Sequence, residues 1–189
     1  MAEMNLKDYL AQKTKAKGKT KTWLPFCKLD VKTGKLWAGD PQHPHASDGC
    51  VAKVPPGRYA VEAIGLAWGR DRIVHRLRVR LESVKKPEIG KELGTAGTDS
   101  GTIGIAEISA FKAAFEKSGK TEGGADQIQE AIENQAAEGF GVITLPGFPD
   151  AIMPFVPTGS DGGGPVLALM SGGKCVGIEL PFMDEEDVD

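Results

Sequence analysis

No apolar run in the sequence approaches the roughly 18–20 residues that a helix needs to cross a bilayer. The opening segment, MAEMNLKDYLAQKTKAKGK, has no apolar core of the kind a secretory leader carries. Cysteine is scarce. Cys27, Cys50 and Cys175 are odd in number, widely spaced and form no Cys-x-x-Cys pair. That usage argues against a disulfide framework and fits reduced thiols, so the expected compartment is the cytoplasm. No internal repeat and no long low-complexity linker is present, which excludes solenoid and tethered-module architectures.

What is present suits one soluble core. Hydrophobic residues make up 40% and charged residues 26% of 189 positions, enough for one substantial core and short for two. The net charge of −3 hides an asymmetry: the first 90 residues hold 18 Lys+Arg and 9 Asp+Glu, and the remaining 99 hold 5 and 17. The basic part includes KTKAKGKTK (13–21), and the chain ends in DEEDVD (184–189). The lysine run has only Trp23 nearby and no interleaved aromatics or repeated Arg, so nucleic acid ranks below a protein partner. An acidic face suits a basic partner.

The pattern along the chain predicts a short helix in 4–12, where Leu6 and Leu10 stand one turn apart. The lysine-rich segment after it reads as a loop or edge. WLPFCKLDV (23–31) is strand-like, and the run 32–35 (KTGK) reads as a turn into KLWAG. DPQHPHASDG (40–49) reads as a loop, because Pro41 and Pro44 remove backbone donors. PPGRYAVEAIGLAW (55–68) and IVHRLRVRLESV (73–84) predict a long hairpin; in the second arm Arg76, Arg78 and Arg80 alternate with Leu77, Val79 and Leu81, giving a basic solvent face whose arginines read as solvated or paired to acids. GTIGI (101–105) reads as a short strand. A helix follows it, with Ile108, Phe111 and Phe115 on one face and a stop at Gly119, then a second helix over 126–138 with Asp126 as N-cap. GFGVITLPG and AIMPFVP read as strands whose Pro146, Pro154 and Pro157 favour edges or strand ends. VLALM and CVGIELPF flank the turn 171–174 (SGGK), predicting a central hairpin with Val176, Ile178 and Leu180 buried. The expected fold is α+β: mainly antiparallel sheet, two adjacent helices near 106–138 and a C-terminal hairpin. Residues 1–22 form a short helix and lysine-rich loop, 23–183 one domain, and 184–189 an acidic tail.

Candidate chemistry centres on TDSGT (98–102). Asp-Ser-Gly-Thr matches the short signature of aspartic proteases, with Asp161 as a second carboxylate able to share a proton and activate water. Gly97 and Thr98 stand where a buried apolar strand would lead into that motif, and the segments after Asp99 and Asp161 are dissimilar. Ser100 as a nucleophile would need His43, His45 or His75 as base, and no nucleophile elbow is present. The bland reading makes Asp99, Ser100 and Asp161 acceptors for their own turns. The glycines at 162–164 lack the Gly-Lys-[Ser/Thr] of a phosphate loop. His43-Pro44-His45 with Asp40, Asp48 and Cys50 offers ligand atoms, but the proline and loop context predict exposed, unliganded histidines. No metal and no cofactor is expected.

GKLWAGDP (34–41), PPGRYAV (55–61), TDSGTIGIAE (98–107) and SDGGGPVLALMSGGKCVGIELPF (160–182) occur in an order that resembles a bacterial domain-of-unknown-function family. That family carries Asp-Pro, Pro-Gly-x-Tyr-x-Val, Asp-x-Gly-Thr and Gly-Asp-Gly-Gly-Tyr-Pro motifs, and the resemblance covers about residues 23–182. Ser160 replaces the first glycine of the last motif, and Gly164 and Leu167 stand where aromatics are usual. The resemblance implies a β-rich fold and a cluster of Asp40, Arg58, Asp99 and Asp161, with Ser100 and Thr102 in the same loop. It implies no known reaction. The favoured expectation is a protein that binds another protein, as an immunity protein or antitoxin against a basic toxin. Its contact residues would be Glu130, Glu133, Glu138, Asp184, Glu185, Glu186 and Asp187. The alternative is a hydrolase or small-ligand binder using Asp99, Ser100 and Asp161.

Overall fold

The computed structural model describes residues 4–12, 16–20, 22–42, 49–69, 71–116, 121–135, 140–158 and 162–182. The chain begins with α1 (Leu6–Leu10), β1 (Ala16–Lys19), β2 (Leu24–Val31), β3 (Lys35–Gly39) and β4 (Cys50–Lys53). A long hairpin, β5 (Gly57–Gly69) and β6 (Asp71–Leu81), leads to β7 (Glu88–Thr98) and β8 (Thr102–Glu107). Two helices follow, α2 (Ile108–Glu116) and α3 (Thr121–Gln135). The chain then forms β9 (Gly141–Thr144), β10 (Ile152–Pro157), β11 (Gly162–Ser171) and β12 (Lys174–Pro181).

The strands make two sheets. The larger, seven-stranded sheet runs β1-β5-β6-β12-β11-β7, with β2 also on β5; the five-stranded sheet runs β4-β3-β8-β10-β9. Every described pairing is antiparallel. One core lies between the sheets: Leu29, Val61, Val79, Ile178 and Leu180 of the larger meet Leu36, Ala38, Ile103, Ile105 and Val156 of the smaller. A second core lies on the far face of the smaller sheet, where Trp37, Met153, Phe155 and Ile143 pack under Phe111, Ile128 and Ile132 of the helices. Trp37 stacks on Phe111 with ring centroids 4.2 Å apart.

The sequence patterns follow from this layering. The smaller sheet is covered on both faces, so β8 is buried at every position and reads as a continuous apolar run. The larger sheet is covered on one face, so β6 alternates. The basic face of β6 is nevertheless not simply solvated. Arg80 and Glu179 are buried, and Glu62 accepts from Arg78 Nε at 2.7 Å and from Arg80 Nε and Nη2 at 2.9 and 2.7 Å. Arg76 pairs with Glu179, and Arg78 lies over the Trp23 ring, 4.0 Å from its centroid. Cross-strand acids on β5 and β12 thus make the basic face of β6 an ion-pair lattice, the paired form of the expected basic face.

Two expectations change. The helix placed at 126–138 starts at Thr121, so Asp126 is interior and not a cap. Burial of Ile128 and Ile132 against the sheet holds a helix through the glycines that weaken its first turns. Pro154 sits inside β10, between two strands and not at an edge. The β8 ladder ends at Phe155, one residue short of Pro154, so on that side no strand bond is forfeited.

In the turn between β11 and β12, Gly172 and Gly173 have φ of 55° and 76°, and Ser171 pairs with Lys174. Two left-handed residues match the twist of the flanking strands. A Cβ at either glycine would meet nothing within 4 Å, so substitution costs only backbone strain. Gly173→Ala should lower stability by about 1 kcal/mol, with Gly173→Asn costing less. Urea unfolding that left Gly173→Ala level with the parent would contradict the turn assignment.

Candidate functional site

Asp40 follows β3 and precedes Pro41. Its side chain is almost wholly buried, at 3% exposure. Oδ1 accepts from the Gln42 N–H at 2.8 Å and the Ser100 hydroxyl at 2.9 Å. Oδ2 accepts from the Asp99 and Ser100 N–H groups, both at 2.9 Å, and from the Thr98 hydroxyl at 3.1 Å. Thr98 Oγ1 in turn accepts from the N–H of buried Thr102 at 2.9 Å. Gly101, at φ 66°, closes the turn and its carbonyl accepts from Thr158 N–H at 2.9 Å. One carboxylate therefore ties the end of β3 to the turn that carries the chain from β7 in one sheet to β8 in the other. Burial opposes ionisation of Asp40, but the donors from Gln42, Ser100 and Asp99 outweigh it and hold the carboxyl below its ordinary range.

The expected cluster is brought together only in part. Asp40, Ser100 and Thr102 meet, but Asp99 contributes its N–H to Asp40 and its side chain is exposed. Arg58 lies apart: it is exposed at the start of β5, opposite Asp30 in the β2–β5 register. Asp161 lies outside the described residues, as do Glu138, Asp184, Glu185, Glu186, Asp187, His43, His45 and Asp48. His75 is buried within β6, with its carbonyl accepting from Phe182 N–H at 3.0 Å. Ser100 thus faces a carboxylate whose low proton affinity makes it a poor base, and its hydroxyl serves the turn. Among the described residues no group of three or more metal-ligating side chains converges.

The glycine-rich start of β11 also has a packing explanation. Gly162, Gly163 and Gly164 stand opposite Thr98, Gly97 and Ala96. A Cβ on Gly163 would lie 3.2 Å from the Ala96 carbonyl oxygen, and one on Gly164 2.8 Å from that of Pro181. Close strand approach demands small residues there. A cavity of about 130 Å³ remains between these glycines, Thr98, Thr158 and Phe182.

A larger cleft, of about 460 Å³, was not marked by any motif. It lies between the end of β2 (Lys28, Leu29, Asp30, then Lys32), the start of α2 (Glu107, Ser109, Ala110) and the β9–β10 connection with Leu145, Phe148, Asp150 and Ile152. Glu107 is 7% exposed, accepts the Thr33 hydroxyl, and accepts the Ala110 N–H at 3.0 Å, so it caps α2. The alternation Lys28, Asp30, Lys32 was the only sequence signal for this cleft, and by itself it reads as an ordinary solvated strand face.

The acids on α3 are placed as its periodicity requires. Ile128 and Ile132 are buried, and Glu130 and Glu133 are exposed. Gln129 Nε2 donates to Glu133 Oε1 at 2.8 Å. No family model matches the chain, and it matches no curated protein and no solved structure.

Proposed function

We propose that the protein acts in the bacterial cytoplasm by binding another protein, as an immunity protein or antitoxin against a basic toxin. The observation that carries this reading is α3: its apolar side is spent on the core, and Glu130 and Glu133 project from the outermost layer of the fold. Exposed carboxylates on a rigid helix steer a basic partner into encounter. The hydrolase alternative is less well supported, because Ser100 is committed to Asp40 and Asp99 points outward. The cysteines are all free thiols, and burial pushes Cys27 up to about 12, which suits a reduced compartment without thiol chemistry.

The test uses the chain as bait in extracts of its own bacterium, beside a bait carrying Glu130→Lys and Glu133→Lys. The parent should retain a basic protein, with association several-fold slower for the reversed bait at low salt and little different at high salt. Co-expression should relieve the growth arrest that the retained protein causes. Retention indifferent to both reversal and ionic strength would discard the acidic face. A retained protein that arrests growth equally with and without the chain would discard neutralisation.

A further inference from the structure

The cleft beside β2 is approached from the strand's edge. Lys28, Leu29 and Asp30 all line it, although neighbouring side chains on a strand point to opposite faces. Only the edge borders both faces at once. The Arg58 carbonyl accepts from Glu82 N–H at 2.9 Å, so the peptide groups of Arg58 turn away from β2, toward the β6 side. Tyr59 then turns toward β2 and pairs with Leu29, whereas Lys28 and Asp30, opposite Ala60 and Arg58, direct their N–H and C=O groups outward. Among the described residues, β5 is the only strand paired with β2.

We propose that this edge accepts an extended peptide segment of a partner protein, added as an antiparallel strand along Lys28–Asp30. The proposal rests on the protein-binding reading and names a second surface for it. The two outward residues supply four backbone hydrogen-bonding groups, the arrangement that strand addition uses. Side chains select the peptide. Lys28, Asp30 and, just past the strand, Lys32 present the signs plus, minus, plus at every second position and are exposed; Lys28 pairs with Glu82 in an exposed ion pair that a peptide carboxylate can share. A peptide with acid, base, acid at every second position complements them, because directly opposed residues share a face. Its intervening residues fall on the Leu29 side, where Leu145, Phe148 and Ile152 line the cleft, so they should be apolar. The volume of about 460 Å³ falls within the range of about 300–1,000 Å³ usual for ligand clefts.

The experiment is fluorescence anisotropy of the full chain with the labelled peptide Glu-Leu-Lys-Val-Glu, and with its order scrambled. The ordered peptide should bind and the scrambled one bind more weakly. Asp30→Ala keeps the outward amide and should weaken binding two- to threefold. Asp30→Pro removes an amide that β5 does not use and should weaken it roughly tenfold. Ser109→Trp, on the α2 wall where Ser109 donates to Thr33 just past β2, should block the cleft without touching the β2 backbone and guards against misfolding of the proline variant. Equal binding of the ordered and scrambled peptides, or of Asp30→Pro and the parent, would overturn the proposal. So would a concentration-dependent homodimer dissolved by Asp30→Pro, because the edge would then serve a second copy of the chain. Loss of peptide binding with the α3-dependent partner still retained would sink this proposal alone. The converse would sink only the acidic face.

Discussion

Asp40→Ala is expected to remove about 3–5 kcal/mol of stability. The substitution strands three backbone N–H groups and two hydroxyls that now converge on one buried carboxylate. Asp40→Asn should be nearly as harmful. Both oxygens accept a backbone N–H, from Gln42 on one side and from Asp99 and Ser100 on the other. An amide turned either way sets its NH₂ against a donor. The acid limb supplies a second signature. The folded carboxyl is held below its ordinary value, so its stabilising contribution is whole above about pH 4 and fades as pH falls through the folded value. Urea unfolding from neutral pH downward should show a larger acid loss in the parent than in Asp40→Ala, which keeps only the contributions of other paired carboxylates such as Glu62. An Asp40→Ala variant within about 1 kcal/mol of the parent at pH 7 would mean that the turn is held by other contacts.

Glu62→Ala should cost a similar amount, about 3–5 kcal/mol. It leaves Arg78 and Arg80 side by side and largely buried, at 16% and 8% side-chain exposure, without their shared acceptor. Glu179 stands opposite Arg78 in the β12–β6 register but pairs with Arg76. Burial opposes the charge on Glu62, but the guanidinium hydrogen bonds win and lower its proton affinity, so this contribution too is present at neutral pH and lost toward acid. Replacing Glu62, Arg78 and Arg80 together by Met should recover much of the loss, because the penalty belongs to the unpaired charges. A triple variant no more stable than Glu62→Ala would place the cost in packing around the side chains.

The antiparallel, β-rich character with a few short helices was legible in the sequence, because it rests on local periodicity. Alternation in 73–84 and the spacing of Phe111, Ile128 and Ile132 are set by which face meets the core. The partners of polar residues were less legible. Nothing near Arg78 or Arg80 in the chain announces Glu62, which reaches them only through the β5–β6 register. The Asp-Pro and Thr-Asp-Ser-Gly-Thr segments each read as turns, and that much follows from Asx and hydroxyl chemistry. That one turn's carboxylate organises the other's backbone depends on bonds between residues 58 to 60 positions apart. Arg58 was grouped with Asp40 by motif order, whereas the register sets it opposite Asp30. The cleft beside β2 was invisible for the same reason: it is assembled from three distant segments, none unusual alone.

The strand order of the larger sheet has a consequence for synthesis. β6 is made early and β7 soon after it, yet both are joined to the sheet's middle by β12 and β11. Until residues 162–181 leave the ribosome, the inner edge of β6 and that of β7 have no partner between them. A nascent chain therefore carries two long open strand edges while β8, α2, α3, β9 and β10 are made, the state in which unpaired backbone invites neighbouring chains. Glu62 of β5 is already made and takes Arg78 and Arg80, so Arg76 is the arginine left to guard that edge, its charge repelling a second copy of the strand until Glu179 arrives.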